Sequence, residues 1–235
     1  MALIHYHGQT DVGRRRPTNE DAILVSESAL VVCDGLGGHA AGEVAAALAV
    51  ETIAAVIGRP PAGEKPGSDA DRLRTAIRLA NRAILDRARS DPACAGMGTT
   101  VAVAILPPDS TMMTYAHVGD SRIYLIRGGA APVIRPLTRD DSWSDAGSAY
   151  QHLLTKALGL TRDVEPALGQ KPLDAGDTVL LCSDGLTTMV SDPRILELMT
   201  AHGDALPAAC QALVDAANAA GGRDNISVIL ARRGE

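Results

Sequence analysis

The chain has 235 residues, 46% apolar and 21% charged, a balance that fits one large folded domain or two small ones and excludes wholesale disorder. Its net charge is −6, aromatics are 2% and Phe is absent, so it offers neither a broad basic surface for phosphate backbones nor rings for stacking bases, and nucleic acid is not an expected partner. No run approaches the ~20 apolar residues of a membrane span, and the opening residues lack the basic and apolar regions of a secretory signal, so no membrane span is expected.

Residues 4–6 alternate weakly and read as a strand, and 11–20 are polar and turn-like. Residues 29–33, ALVVC, form a short apolar run that reads as a buried strand stopping at Asp34-Gly35. Residues 40–57 are helix-forming and almost all apolar, which predicts a helix buried on most faces. The Gly- and Pro-rich segment 58–67 is a loop. Ser68 and Asp71 resemble a capping box, and Leu73, Ile77, Ala80, Ile84 and Ala88 follow at helical spacing. Arg72, Arg78, Arg82 and Arg89 fall on the other side of that helix as a solvated face.

Residues 99–106 and 112–118 read as strands joined by a hairpin loop at 107–110, with Met112 and Met113 as sheet packing and His117 as a sheet residue. Residues 123–126 and 178–182 are further strands. Asp204 is expected to cap a last helix that carries Leu206, Cys210, Leu213 and Ala217 on one face. Residues 226–230 end the pattern as a strand. Strands come in runs and helices in pairs, which predicts an α+β sandwich and one domain over residues 1–235. Cys33, Cys94, Cys182 and Cys210 form neither CxxC nor zinc-finger spacing and read as reduced thiols of a cytoplasmic protein.

Four aspartates share a position. Asp34 follows LVVC, Asp184 follows VLLCS, Asp120 follows AHVG, and Asp224 precedes NISVIL. One acid at a strand end is a turn residue. Four from distant parts of the chain gather at one edge if their strands share a sandwich. Clustered carboxylates repel unless a cation lies among them, and oxygen ligands without Cys or His suit Mg²⁺ or Mn²⁺. Two such ions can activate water and steady an in-line displacement at phosphorus. A phosphate at such a site also needs a cation of the protein, and Arg14, Arg15 and Arg16 lie just before Asn19-Glu20-Asp21. One rival motif, GLGGHA at 35–40, has the glycine spacing of a dinucleotide loop. It is disfavoured because Glu51, the candidate ribose acid, falls inside the predicted helix, and because Asp34 would face the pyrophosphate.

Taken together, these motifs resemble the bacterial branch of the metal-dependent protein phosphatases, the PPM or type 2C family. They run in the family's order: RPTNED at 16–21, DGLGGHAAGE at 34–43, GTT at 98–100, GDSR at 119–122, LTRD at 137–140, LTKALG at 154–159, SDG at 183–185 and RDNIS at 223–227. The resemblance implies an α-β-β-α sandwich of two mainly antiparallel sheets, with two Mn²⁺ or Mg²⁺ ions, and a third in some members, at one end. It implies Asp34 as the bridging ligand, Gly35 as a carbonyl ligand, and Asp184 and Asp224 as the other carboxylates. Glu20 and Asp21 are implied to act through water, Asp120 with Asp184 at a third metal, and Arg16 on the substrate phosphate. Arg14 and Arg15 are then expected to be ordinary surface charges.

The implied reaction is hydrolysis of phosphoserine and phosphothreonine in proteins by a hydroxide bridging two metals, with no phosphoenzyme. The implied setting is the cytoplasm, with a monomeric enzyme reversing a Ser/Thr kinase on phosphoprotein substrates. Two departures from the family stand out. Leu36 replaces the His that many eukaryotic members carry after Asp-Gly, which leaves His39 or a metal-bound water as the general acid. The flap at 139–153, which holds Trp143, is shorter than usual and is expected to be mobile over a more open cleft. A dead scaffold of the same fold is the contrasting reading. It is disfavoured because Asp34, Asp184 and Asp224 are all present. A hydrolase of small phosphoesters is a third.

Overall fold

The computed structural model describes residues 3–36, 41–58, 68–107, 109–129, 131–142 and 154–234. In chain order the elements are β1 (Ile4–Asp11), β2 (Asp21–Val25), β3 (Leu30–Leu36), α1 (Gly42–Ile57), α2 (Asp69–Ser90), β4 (Gly98–Thr99), β5 (Val101–Ile105), β6 (Met112–Val118), β7 (Arg122–Arg127) and β8 (Val133–Pro136). There follow β9 (Ala167–Pro172), β10 (Thr178–Cys182), α3 (Asp184–Thr187), α4 (Asp192–His202), α5 (Leu206–Ala219) and β11 (Ile226–Arg233). One sheet has the order β1-β11-β10-β7-β8. The other runs β2-β3-β5-β6-β9, with β4 paired to β3. Every described pairing is antiparallel.

The central strands read as unbroken apolar runs because both of their faces are buried. On β3, Leu30 and Val32 point between the sheets, while Val31 and Cys33 point at α1 and α2. On β10, Val179 and Leu181 point between the sheets, and Leu180 and Cys182 meet α4 and α5. On β5 and β11 successive residues also divide between two clusters. Three apolar layers result: helix on sheet, sheet on sheet, and sheet on helix. This is the expected α-β-β-α sandwich. Tyr124 is fully buried, Tyr6 and Tyr115 pack half-buried against the layer between the sheets, and Ala, Val, Ile and Leu fill most of the rest.

Several expectations are corrected. β3 does not stop at Asp34 but continues through Gly35 to Leu36, where β4 pairs with it. α1 is buried or half-buried on most faces as expected, apart from an exposed stripe of Glu43, Ala47, Glu51 and Ala55 at four-residue spacing. Asp204 does not cap α5, whose N-cap is Ala205 with no side-chain bond; its carboxylate instead pairs with Arg232 Nε at 2.8 Å. Met113 is buried, whereas Met112 is 39% exposed. Ser68 does cap α2, accepting the Asp71 N–H at 3.2 Å. The arginines of α2 are not merely solvated, since Arg72 Nη2 reaches the Ile57 carbonyl at 2.6 Å and ties α2 to the end of α1. The loop expected at 58–67 lies outside the described residues beyond Gly58.

Candidate metal centre

Each candidate acid sits where a strand reaches one edge of the sandwich. In the β2–β3 register Asp21 lies directly opposite Asp34. Like charges at such a pair of positions destabilise a sheet unless something offsets them. Asp184 begins α3 straight after β10, Asp120 occupies the turn between β6 and β7, and Asp224 precedes β11. The sheets bring these acids within range of one another's charge. Asp34 is held well above the usual carboxylate range, first by burial and then by repulsion from Asp21, Asp184, Asp120 and Asp224. Asp21 is pushed up to about 6 by burial, with Asp184 and Asp224 adding repulsion against the lowering effect of bonds from Ser227 and Ser183. Asp120 is pushed up to about 7 by burial and by the charges of Asp184 and Asp140. Glu20 is raised by burial, with Arg16 pulling the other way and Glu43 and Asp224 adding to the rise.

The backbone around these acids is fixed by hydroxyls and one amide. The Asp34 N–H donates to Thr100 Oγ1 at 3.0 Å, and the Asp34 carbonyl accepts from Thr99 Oγ1 at 2.8 Å and from the Thr100 N–H at 2.9 Å. Ser183 Oγ donates to Asp21 Oδ2 at 2.9 Å and accepts the Ser227 N–H at 3.0 Å. Asn225, 4% exposed, accepts the Glu20 N–H at 2.8 Å. It also donates to the carbonyls of Val12 and Thr18, each at 2.9 Å. It thus closes both ends of the segment that carries Arg16. Arg16 Nη2 meets Asp224 Oδ2 at 2.7 Å.

Two close backbone approaches complete the edge. A side chain on Gly35 would put its Cβ 2.4 Å from the Gly42 backbone, and one on Gly42 would meet Glu20 Oε2 at 2.7 Å. A Cβ on Gly185 would lie 1.9 Å from the Asn225 carbonyl oxygen. Glycine is therefore required where β3 meets the start of α1, and where α3 meets the residue after Asp224.

The donor set suits a hard divalent cation. Its acids carry mutually raised titration points, and the buried Asp21 Oδ1 has no hydrogen-bond partner among the described residues. Among the described residues, however, no three acidic, His or Cys side chains meet at coordinating distance around one point. The structure brings the charges together without forming a finished ligand shell. Gly35 lies on β3 with its N–H bonded to the Glu20 carbonyl at 3.2 Å, beside the acids. His39 and Trp143 lie outside the described residues, as do residues 143–153 of the flap. The base of that flap is described: Asp141 Oδ2 accepts the Gly119 N–H at 3.1 Å, and Lys156 Nζ meets Asp141 Oδ1 at 3.0 Å. His117 bonds the Arg139 carbonyl through Nε2 at 2.8 Å, a sheet role as expected.

Asn225, Ser183, Ser227, Thr99 and Thr100 were not singled out as individual site residues from sequence. Ser183, Asn225 and Ser227 lie beside strand-end acids, and Thr99 and Thr100 carry only the signal of the GTT motif at 98–100. A cavity of about 1000 Å³ lies elsewhere, between α2 and residues 162–165, with Arg78, Asn81 and Glu165 among its lining.

Comparison with known proteins agrees with this architecture. Residues 14–214 match the family model described as Protein phosphatase 2C. The serine/threonine protein phosphatase PstP of Mycobacterium tuberculosis is 35% identical over 97% of this chain, which spans only 45% of that relative's length. The serine/threonine phosphatase stp of Listeria monocytogenes is 34% identical over 98% of this chain and 96% of its own. A crystal structure of Mycobacterium tuberculosis PstP superposes with a TM-score of 0.87 at 32% identity, and that of the PstP catalytic domain in complex with two manganese ions with a TM-score of 0.86 at 33% identity, each over all of both chains. The chain belongs to the protein phosphatase 2C family.

Proposed function

We propose that the chain is a metal-dependent serine/threonine protein phosphatase, with residues 1–235 acting as one catalytic domain. The observation that carries this reading is the convergence of Asp21, Asp34, Asp120, Asp184 and Asp224 at one sheet edge, each of the first three with a raised titration point, beside Arg16. Asp34, the Gly35 carbonyl, Asp184 and Asp224 would hold two Mn²⁺ or Mg²⁺ ions, with Glu20 and Asp21 acting through water and Asp120 serving a third. Such ions, when bound, supply Lewis acidity at phosphorus and make water a nucleophile at neutral pH.

The protein's own residues orient the substrate. Arg16 reaches the edge of the acidic cluster, and its guanidinium can fork onto two phosphate oxygens while keeping its charge at any working pH. Asn225 fixes the loop that aims Arg16. Ser183 and Ser227 hold Asp21 in place, and Thr99 and Thr100 hold Asp34. Water attacks phosphorus directly, and no phosphoenzyme forms. His39 is the protein's candidate for protonating the leaving oxygen.

The family membership and the names of the relatives support phosphoprotein substrates, whose phosphates a Ser/Thr kinase would supply. A cytoplasmic setting fits the four free, buried cysteines. No helix among the described residues is long and apolar enough to cross a membrane. The test is release of phosphate from phosphothreonine peptides. It should require Mn²⁺ and fall by at least about a thousandfold in Asp184→Asn. His39→Ala should slow peptides more than an activated aryl phosphate, whose leaving group needs no proton. Turnover indifferent to Mn²⁺, or retained in Asp184→Asn, would refute the assignment.

A further inference from the structure

Among the described residues, three arginines beside the acidic edge have no acidic partner. Arg14 donates its N–H to the Gly222 carbonyl at 2.7 Å, which laces the loop after β1 against the loop before β11. A Cβ on Gly222 would lie 2.8 Å from Arg14 Cγ, so the Arg14 side chain leaves along that second loop. Arg223 is the next residue of the same loop, and Asp224 after it takes the guanidinium of Arg16. Arg14, Arg15, Arg16 and Arg223 therefore stand on two adjoining loops at one end of the site.

Arg14, Arg15 and Arg223 are exposed, and among the described residues none of the three forms an ion pair. The arginines of α2 differ. All six arginines of α2 have acidic partners. On a chain of net charge −6, three uncompensated guanidinium groups at one rim of an acidic cluster form a local reversal of sign. Arginine forks match carboxylate and phosphate oxygens, and such a rim attracts anions against the field of the whole protein. At about 3.3–3.6 Å per extended residue, a peptide whose phosphate lies at Arg16 brings its neighbours two or three positions away to the level of Arg14 and Arg223.

We propose that Arg14, Arg15 and Arg223 form a specificity rim that selects phosphoprotein segments with anionic side chains, carboxylate or a second phosphate, within about three residues of the scissile phosphate. This rests on the phosphatase reading above. It also replaces the expectation that Arg14 and Arg15 are ordinary surface charges.

The experiment measures kcat/KM with Mn²⁺ for phosphothreonine peptides flanked by Ala, by Glu, by Lys, or by a second phosphothreonine, with 4-nitrophenyl phosphate alongside. The wild type should favour the Glu or doubly phosphorylated peptide over the Ala peptide by roughly tenfold, as the sum of several exposed pairs, each weak. The preference should shrink as salt rises from about 50 to 300 mM. A preference for the second phosphate alone identifies phosphate as the ligand, whereas equal preference for Glu identifies any anion. In R14Q/R15Q/R223Q the ratio should fall to about one, and Arg15→Glu alone should turn the preference toward the Lys peptide. A wild-type ratio near one, or a ratio unchanged in the triple variant, overturns the rim while leaving the phosphatase reading intact. Failure to hydrolyse 4-nitrophenyl phosphate as well as every peptide overturns both.

Discussion

Asn225 shows how a single uncharged side chain can govern a charged site. Its amide spends both donors and its acceptor on the backbone of Val12, Thr18 and Glu20. Replacing it by Ala leaves those three backbone groups without their partners inside a buried pocket, and should cost about 2–4 kcal/mol of stability. The loop carrying Arg16 loses its anchor in the same change. Asn225→Ala should therefore lower the denaturant midpoint and raise KM for phosphopeptides, read by urea unfolding and steady-state kinetics. A variant with wild-type stability and KM would show that the loop holds itself. Asp34, Asp120, Asp184 and Asp224 are legible in the sequence because each ends or begins an apolar run, whereas Glu20 and Asp21 are legible only through the family resemblance. The groups that support them are not. Ser183, Ser227 and Thr100 make contacts 21 to 217 residues away in sequence, and a hydroxyl carries no periodic sign of which distant partner it will find.

At the scale of elements, the crossing of β3 and α1 sets the position of Asp34 and Glu20. Gly35 and Gly42 let the two backbones approach too closely for any side chain. Gly42→Ala should cost more than about 2 kcal/mol, since its Cβ would press on Glu20 and Gly35, whereas Gly128→Ala, with nothing within 4 Å, should stay within about 0.5 kcal/mol. Urea unfolding of the pair checks this, and equal midpoints would contradict it.

The same scale explains what could be read in advance. β6 and β10 were predicted with their observed bounds, because buried central strands leave continuous apolar runs. β8 and β9 were not, since VIRP and ALGQKP are edge strands broken by Pro, Gly and charge, with no alternation to read. α4 was overlooked although Ser191 and Pro193 mark its start. The supposed cap at Asp204 failed because Arg232, on a strand far along the chain, took its carboxylate.

At the scale of the whole molecule, the fold stores repulsion at one edge. Asp21, Asp34 and Asp120 have folded-state titration points above those of an unfolded chain, whose carboxyls titrate near 4. The sign is the reverse of an ordinary ion-paired carboxylate. Between about pH 4 and 7 the folded protein binds more protons than the unfolded one, so stability falls as pH rises through that window. In the presence of a chelator, Tm should drop by several degrees from pH 5 to 7.5. Added Mn²⁺ should raise Tm and flatten this slope, because a bound cation replaces the protons. A Tm that climbs with pH in chelator would mean that the acids are already compensated within the protein.

The central claim is that acids drawn from both sheets together form a divalent-ion site. Calorimetric titration of chelator-stripped protein with Mn²⁺ tests it most directly. Two ions should bind per chain in the wild type, with a weaker third where Asp120 takes part, and the two should be lost in Asp34→Asn while the variant remains folded. No binding in the wild type, or undiminished binding in Asp34→Asn, would contradict it.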